Sequence, residues 1–394
     1  MKLACVIHRF GADIAGGSEG HCRQIAEHLA SSHNVTIVTT TAHDHVTWAN
    51  HYPAGESRLG PLRIVRFPVE RRRDLHRFRD ISDQVFTNRA SAEEEEQWFR
   101  ENGPYAPALL EYLKQQGTQF DLVLFWSFRY YHAYFGLPLV ADRAVLVPTA
   151  EEDPVIHLDA LDRYFALPRG CLFLTPEEET LVGERVPRST PRQIVGCGLD
   201  EPRAAEAGRV ADLEPYILYL GRIDPNKGCD QLIRYFTRWA AAGEQRVNLV
   251  LAGPENMPIP DHPQIRRLGF VAADVRDALL QRARVLMMPS PYESLSMVVL
   301  EAWNYGTPAL VNARCAVLKG QVLRADGGLY YQGAMEFAGA LAYLLSHADA
   351  AARLGMQGRA YVDREYRWPT VMRKIDALLH EVARVVPVAD VRGS

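Results

Sequence analysis

Glu293 and Glu301 stand eight positions apart in the segment Pro289-Ser290-Pro291-Tyr292-Glu293-Ser294-Leu295-Ser296-Met297-Val298-Val299-Leu300-Glu301. The preceding apolar run, Arg284-Val285-Leu286-Met287-Met288, is closed by proline and predicts a buried parallel strand. Ser294 or Ser296 is placed to cap a helix, and Gly306 with Pro308 to end it. Glu293 then falls in the loop at the carboxyl end of a strand, and Glu301 about two turns into the helix. Between them lie the first amides of that helix, near Ser296, Met297 and Val298. Such amides lack a carbonyl one turn back and attract an anion. Two carboxylates for hydroxyls, flanking a diphosphate seat, suit a nucleotide-sugar. Glu301 alone also fits a solvated helix position, as most glutamates do.

A second loop supplies cations. Tyr216-Ile217-Leu218-Tyr219-Leu220 predicts a strand that runs into Gly221-Arg222-Ile223-Asp224-Pro225-Asn226-Lys227-Gly228, with a helix from about Cys229 to Ala242. Arg222 offers a planar fork for phosphate oxygens, and Lys227 a mobile point charge. In an open parallel sheet, ligands bind outside the carboxyl ends of the strands, where both loops belong.

The elements that must position these residues divide into two α/β halves. Strands are expected in the first half at 3–7, 35–40, 64–67, 122–125, 144–147, 171–174 and 193–195, with a helix at 18–31. The second half has strands at 216–220, 247–252, 265–268, 284–288, 308–311 and 328–331. Alternation of strand and helix implies parallel sheets. The polar stretch from Gly196 to about Leu213 is the expected linker. The expected domains are residues 1–200, residues 214–369, and a terminal helix and tail at 370–394. Helical spacing of apolar residues runs from about Thr370 to Val385.

These residues resemble family 4 glycosyltransferases, retaining enzymes with the GT-B fold. The family pairs a Gly-Arg…Lys-Gly loop with a Glu-(seven residues)-Glu segment, and both stand here in that order. Its amino-terminal Gly-Gly-x-Glu appears as Gly16-Gly17-Ser18-Glu19. The resemblance spans roughly residues 2 to 386 and is most specific in the carboxyl half. It implies two Rossmann-like domains facing across a cleft, with the last helix crossing back to the first domain. It also implies transfer of a sugar from a UDP- or GDP-type donor to a glycan, lipid-linked or small-molecule acceptor. By resemblance, Arg222 and Lys227 neutralise the diphosphate, Glu293 orients sugar hydroxyls and Glu301 takes the ribose hydroxyls. The segment Leu268-Gly269-Phe270-Val271 lies where relatives hold the base. The Gly16-Gly17 pair permits close approach of backbone to a phosphate, or is simply a turn. Glu19 reads equally as a first-turn carboxylate favouring the helix dipole.

One loop departs from the family pattern. In Pro148-Thr149-Ala150-Glu151-Glu152-Asp153-Pro154, Glu151 matches the position where relatives commonly place a histidine near the transferring sugar. A glutamate still accepts a hydrogen bond from a sugar hydroxyl, or it caps the following turn. His157 and the segment Phe128-Arg129-Tyr130-Tyr131-His132 are the other acceptor-side candidates. Rival readings are a nucleotide-sugar-binding protein with weak or no transferase activity, and another GT-B enzyme such as an epimerase.

Bulk properties bound the rest. The 394 residues suit two domains, and 47% hydrophobic content supports real cores. A net charge of −4 gives no global pull toward nucleic acid. No apolar run has the length of a membrane span, and the start has no signal-peptide shape, so a cytoplasmic location is expected. The six cysteines form no Cys-x-x-Cys pair, which argues for a reducing compartment and against a zinc site. No Asp-x-Asp occurs, so no essential metal and no cofactor beyond the donor are expected. Arg66, Arg71, Arg72, Arg73, Arg77 and Arg79 crowd one stretch, either a solvated loop or a contact with an anionic acceptor or membrane surface. Glu93 to Glu96 reads as the exposed start of a helix.

Overall fold

The computed structural model describes residues 1–14, 16–87, 90–204, 207–213, 215–243 and 246–385. The chain forms two compact units. The first is Met1–Gly198 together with the helical segment from Val371, and the second is Leu199–Thr370.

Eight strands build the first sheet: β1 (Lys2–Val6), β2 (Asn34–Thr40), β3 (Gly55–Leu59), β4 (Leu62–Phe67), β5 (Leu122–Trp126), β6 (Ala144–Val147), β7 (Gly170–Phe173) and β8 (Arg192–Ile194). Their order is β3-β4-β2-β1-β5-β6-β7-β8. All pairs are parallel except β3 with β4, so one antiparallel edge departs from the all-parallel expectation. β1, β5, β6 and β7 are apolar runs buried on both faces, as the middle of a helix-covered sheet requires.

The second sheet has six parallel strands: β9 (Tyr216–Leu220), β10 (Asn248–Ala252), β11 (Ile265–Gly269), β12 (Leu286–Met288), β13 (Ala309–Asn312) and β14 (Gly328–Tyr331). Their order is β11-β10-β9-β12-β13-β14. Setting β3 aside, both sheets run outward from their first strand in one direction and then reverse. The reversal lies between β1 and β5 in the first sheet and between β9 and β12 in the second. Each is a topological switch point, where an open α/β sheet leaves a crevice at its strand ends.

The last helix, Trp368–Val385, starts in the second unit and passes to the first. Val371, Ile375, Leu378, Leu379 and Val382 are buried along it at helical spacing. Val382 and Leu378 pack so closely over Gly170 of β7 that a Cβ there would collide with them. All six cysteines are buried thiols. Among the described residues, no helix is long and apolar enough to cross a membrane.

The arginine-rich stretch divides: Arg66 is buried and Arg73 half-buried, whereas Arg71, Arg72, Arg77 and Arg79 are exposed. Arg66 donates to the Phe10 carbonyl (3.0 Å) and Ser57 (2.7 Å) and lies over the Tyr52 ring. Arg73 donates to the Asn102 carbonyl between the rings of Trp48 and Phe78. Arg71 and Arg77 converge on the buried carboxylate of Glu101, each at 3.0 Å. These cations are needed where they are, because an unpaired buried carboxylate or unfilled carbonyl is costly. The acidic run also differs from expectation. Ser91 and Glu94 form a capping box, but Glu95 is buried and accepts the amides of Asp159 and Ala160.

Candidate functional site

The loops after β9 and β12 meet at the switch point of the second domain. Asp224 starts the first loop's turn by accepting the Asn226 amide (2.9 Å), and Asn256 holds the same carboxylate at 3.2 Å. Gly228 ends the turn with φ of 72°, and a Cβ there would strike the Pro289 carbonyl. Only glycine allows the two loops to approach this closely. On the far side, Asn312 donates to the same Pro289 carbonyl (2.9 Å) and Ser290 to the Tyr292 carbonyl (2.8 Å).

This bracing brings Lys227 Nζ to 2.8 Å from Glu293 Oε1. The two residues come from separate motifs and form one charge pair, partly open to solvent. Arg222 leaves the same strand end, 41% exposed, with Asp224 at 3.7 Å from its Nε. An anion entering here would meet two cations at once, one of them already oriented by a carboxylate.

The helix Met297–Asn304 follows, with Ser296 at its N-cap. Ser296 makes no side-chain cap, contrary to expectation. Its amide is taken instead by the buried Gln321 side chain at 3.1 Å, so Ser296 is not an open donor. Met297 and Val298 lie in the first turn, where the amides have no carbonyl one turn back.

Glu301 lies on this helix, with its side chain 15% exposed. It is ion-paired with Arg276 on the helix Ala273–Arg282. Burial raises its pKa above the ordinary carboxylate range, and Arg276 opposes that rise. Arg276 is a partner with no signature in the sequence. Phe270, just after β11, is 78% exposed and follows Gly269 in the left-handed region (φ of 62°).

In the first domain the Gly16-Gly17 loop is already occupied by the chain itself. The helix Gly17–Leu29 begins there, and the Glu19 carboxylate folds back over Gly16 so tightly that a Cβ would overlap it. Glu19 accepts from Arg9 Nε (2.6 Å) and Ser18 Oγ (2.9 Å), with His8 Nε2 at 3.0 Å. Burial works against its charge, but Arg9 and His8 hold its pKa well below the usual range. Burial lowers the pKa of His8, and the Glu19 carboxylate opposes that shift. Glu19 thus does more than favour a helix dipole.

Glu151 sits beyond β6, its side chain 29% exposed, with Arg129 Nη2 4.0 Å away. The same Arg129 atom pairs with Asp153 at 3.0 Å. His157 is an exposed partner of Glu152 (2.7 Å). Phe128 and His132 are wholly buried core residues, which removes them as a stacking surface; Tyr130 is partly exposed.

Residues 214–347 match the family model of group 1 glycosyl transferases. An uncharacterized glycosyltransferase of Methanocaldococcus jannaschii is 33% identical over 113 residues, which is 26% of this chain and 28% of that protein. The chain therefore spans little more than a quarter of that relative's length. Among solved structures, a sucrose-phosphate synthase of Thermosynechococcus elongatus superposes with a TM-score of 0.73 at 18% identity, covering 97% of this chain and 99% of that one. Anabaena HepE, in complex with UDP and glucose, gives 0.68 at 14% identity over 97% and 100%. A trehalose 6-phosphate synthase of Burkholderia multivorans gives 0.72 at 13% identity over 98% and 100%. The chain has the two-domain GT-B fold, and its second domain carries the group 1 glycosyl transferase match.

Proposed function

We propose that the protein is a retaining glycosyltransferase that moves a sugar from a nucleoside diphosphate to an acceptor hydroxyl. The observation that carries this reading is the Lys227–Glu293 pair at the β9/β12 switch point, beside Arg222 and inside the matched domain. Arg222 and Lys227 would face the diphosphate, aided by the amides of Met297 and Val298. Glu293 would hold Lys227 in line and take a sugar hydroxyl with its remaining acceptor capacity. Glu301 would share its carboxylate between Arg276 and the ribose hydroxyls, with the base over the Phe270 loop.

In the step itself, the acceptor oxygen attacks the anomeric carbon from the face that the diphosphate leaves. The bond from carbon to the β-phosphate oxygen breaks as the glycosidic bond forms. The acceptor proton passes to the departing phosphate, giving a glycoside and a nucleoside diphosphate. Most of the acceleration then comes from prepositioned charge around the leaving group. The acceptor would be a glycan, a lipid-linked group or a small molecule.

Uridine donors are the first to test, because HepE was solved with UDP-glucose; GDP-sugars are the second. A thermal-shift screen reports binding directly, since a ligand of the folded state raises the midpoint with its affinity. A shifted midpoint, followed by turnover with retained anomeric configuration in the presence of EDTA, is the expected result. No shift with any nucleotide-sugar would sink the reading. Loss of turnover in EDTA, restored by magnesium, would transfer the charge role from Arg222 and Lys227 to a metal.

A further inference from the structure

Glu178 is a wholly buried carboxylate for which the reaction above has no use. It lies in the first turn of the helix Pro176–Gly183, behind the N-cap Thr175. Its own amide is capped by Thr175 Oγ1 at 3.2 Å. Its carboxylate, however, reaches beyond its own helix. Oε1 accepts the amide of Ala150 at 2.6 Å, and Oε2 the amide of Leu174 at 2.5 Å. The amide of Thr149 also points to it. One side chain thus binds the chain where β6 ends and where β7 ends.

The segment it holds is the one that carries Glu151. Thr149 has φ of 49°, a left-handed conformation that β-branched residues rarely adopt. Such a backbone persists only when its surroundings impose it. Glu178 supplies that constraint from the interior, through the amides on either side of the Thr149–Ala150 peptide. Arg129 supplies it from the outside, through Asp153 at 3.0 Å and Glu151 at 4.0 Å. Glu151 is therefore presented by a loop clamped on both faces.

We propose that Glu178 is the positioning residue of the Glu151 loop: by accepting the amides at the ends of β6 and β7 together, it sets the height of Glu151 at the acceptor side of the first domain. The catalytic part of this inference rests on the transferase reading above; the structural part does not. Burial pushes the Glu178 carboxyl up to about 8, against the amides of Leu174 and Ala150, and the charge of Glu151 adds to the rise. The groups around it are Glu151 on the β6 loop, Cys171 on β7 and Glu179 on its own helix. The ionised form accepts from every amide it faces. The protonated form turns an O–H toward one of them. By linkage, an opening that exposes this carboxyl to water becomes easier as pH rises toward 8.

Hydrogen exchange decides the structural part without any donor or acceptor. In the wild type, peptides spanning 148–153 and 172–176 should be well protected and should lose part of that protection from pH 6 to pH 8, after correction for intrinsic exchange. Glu178→Gln keeps the shape but has one acceptor oxygen and an amide donor. It should lose protection in these two peptides several-fold, lose the pH step, and keep wild-type protection in β1 and β5. A wild-type loop no better protected than exposed loops of the same domain would overturn the proposal even where the variant fails to fold. So would unchanged loop protection in the variant, or loss spread evenly through the domain. With UDP-sugars, Glu178→Gln should lower kcat about as much as Glu151→Ala does, with UDP affinity unchanged. If neither wild type nor variant turns over any donor, the transferase reading fails while the exchange data still judge the clamp. If both turn over equally well, Glu178 does not position Glu151 for transfer.

Discussion

Lys227 and Glu293 each look like an independent ligand for a nucleotide-sugar when read from their own motifs. Their 2.8 Å contact makes them a unit: Glu293 orients the ammonium, and Lys227 relieves the partly buried carboxylate. Arg222 and Lys227 should each contribute charge-assisted bonds to a diphosphate. Replacing either by alanine is expected to weaken UDP binding by about 1.5–3 kcal/mol, roughly ten- to a hundredfold in Kd. Isothermal calorimetry with UDP, and with GDP as the alternative, measures this directly. Equal affinity for wild type and both variants would remove these residues from the site. Arg222, Lys227 and Glu293 were legible as candidates in the sequence because their types and strand-end positions both point to phosphate and hydroxyl chemistry. Partners were not. Arg276 reaches Glu301, and Gln321 takes the Ser296 amide, from helices distant in sequence. No local spacing signals a contact made across elements. The departure at Ser296 and the burial of Arg66 have the same origin, since a side chain's type does not tell which buried group claims it.

Elements were more legible than contacts. β6 and β9 fall where the apolar runs predict, because strands buried on both faces leave a continuous signal. β3 was not anticipated. Its sequence, Gly55-Glu56-Ser57-Arg58-Leu59, is a largely exposed edge strand with no apolar face to betray it. The start of the helix Gly17–Leu29 shows what a motif conceals. Gly16-Gly17 suggests a phosphate seat, but in this structure the Glu19 carboxylate lies against Gly16 and draws in Arg9 and His8. The two glycines should therefore differ sharply. A methyl at Gly16 meets the carboxylate, whereas one at Gly17 has open space around it. Gly16→Ala should destabilise the protein by about 3–5 kcal/mol, the usual cost of breaking a buried charge pair. Gly17→Ala should be neutral or stabilise by up to about 1 kcal/mol, as alanine replaces glycine in a helix. Urea unfolding separates the two. Similar losses in both variants would mean that the loop, and not the Glu19 network, needs the glycines.

At the scale of the molecule, two sheets built on one winding scheme give two sets of strand-end loops, and the sequence announced that much through alternation alone. What it did not announce is how the first domain secures its last segment before the chain leaves for the second. His21 does this from the helix Gly17–Leu29. Its Nε2 lies 2.8 Å from the Gly196 carbonyl, and its Nδ1 accepts from Trp126 Nε1 at 3.0 Å. Both contacts are met only by the neutral ring with its proton on Nε2, since a proton on Nδ1 would confront the indole N–H. Burial lowers the pKa of His21 to about 4, below its ordinary 6.5, with the Gly196 carbonyl opposing. The sign follows from linkage. Between pH 6.5 and 4 the unfolded chain takes up the proton and the folded one does not, so stability is complete above 6.5 and is lost as pH falls through that window. The slope from one such residue approaches about 1.4 kcal/mol per pH unit. Burial also lowers the pKa of His8 and His132, which acts in the same direction. Glu178 acts in the opposite one, because its raised pKa makes the folded state the better proton binder between its ordinary value and 8. Raw pH dependence therefore mixes opposing contributions, and a paired comparison isolates His21. Glutamine there keeps a donor for Gly196 and an acceptor for Trp126 but does not titrate. Denaturant stability measured at pH 7.5 and pH 5.0 should fall less in His21→Gln than in the wild type, with His8, His132 and Glu178 common to both. Parallel losses in the two proteins would show that His21 carries no share of the acid sensitivity.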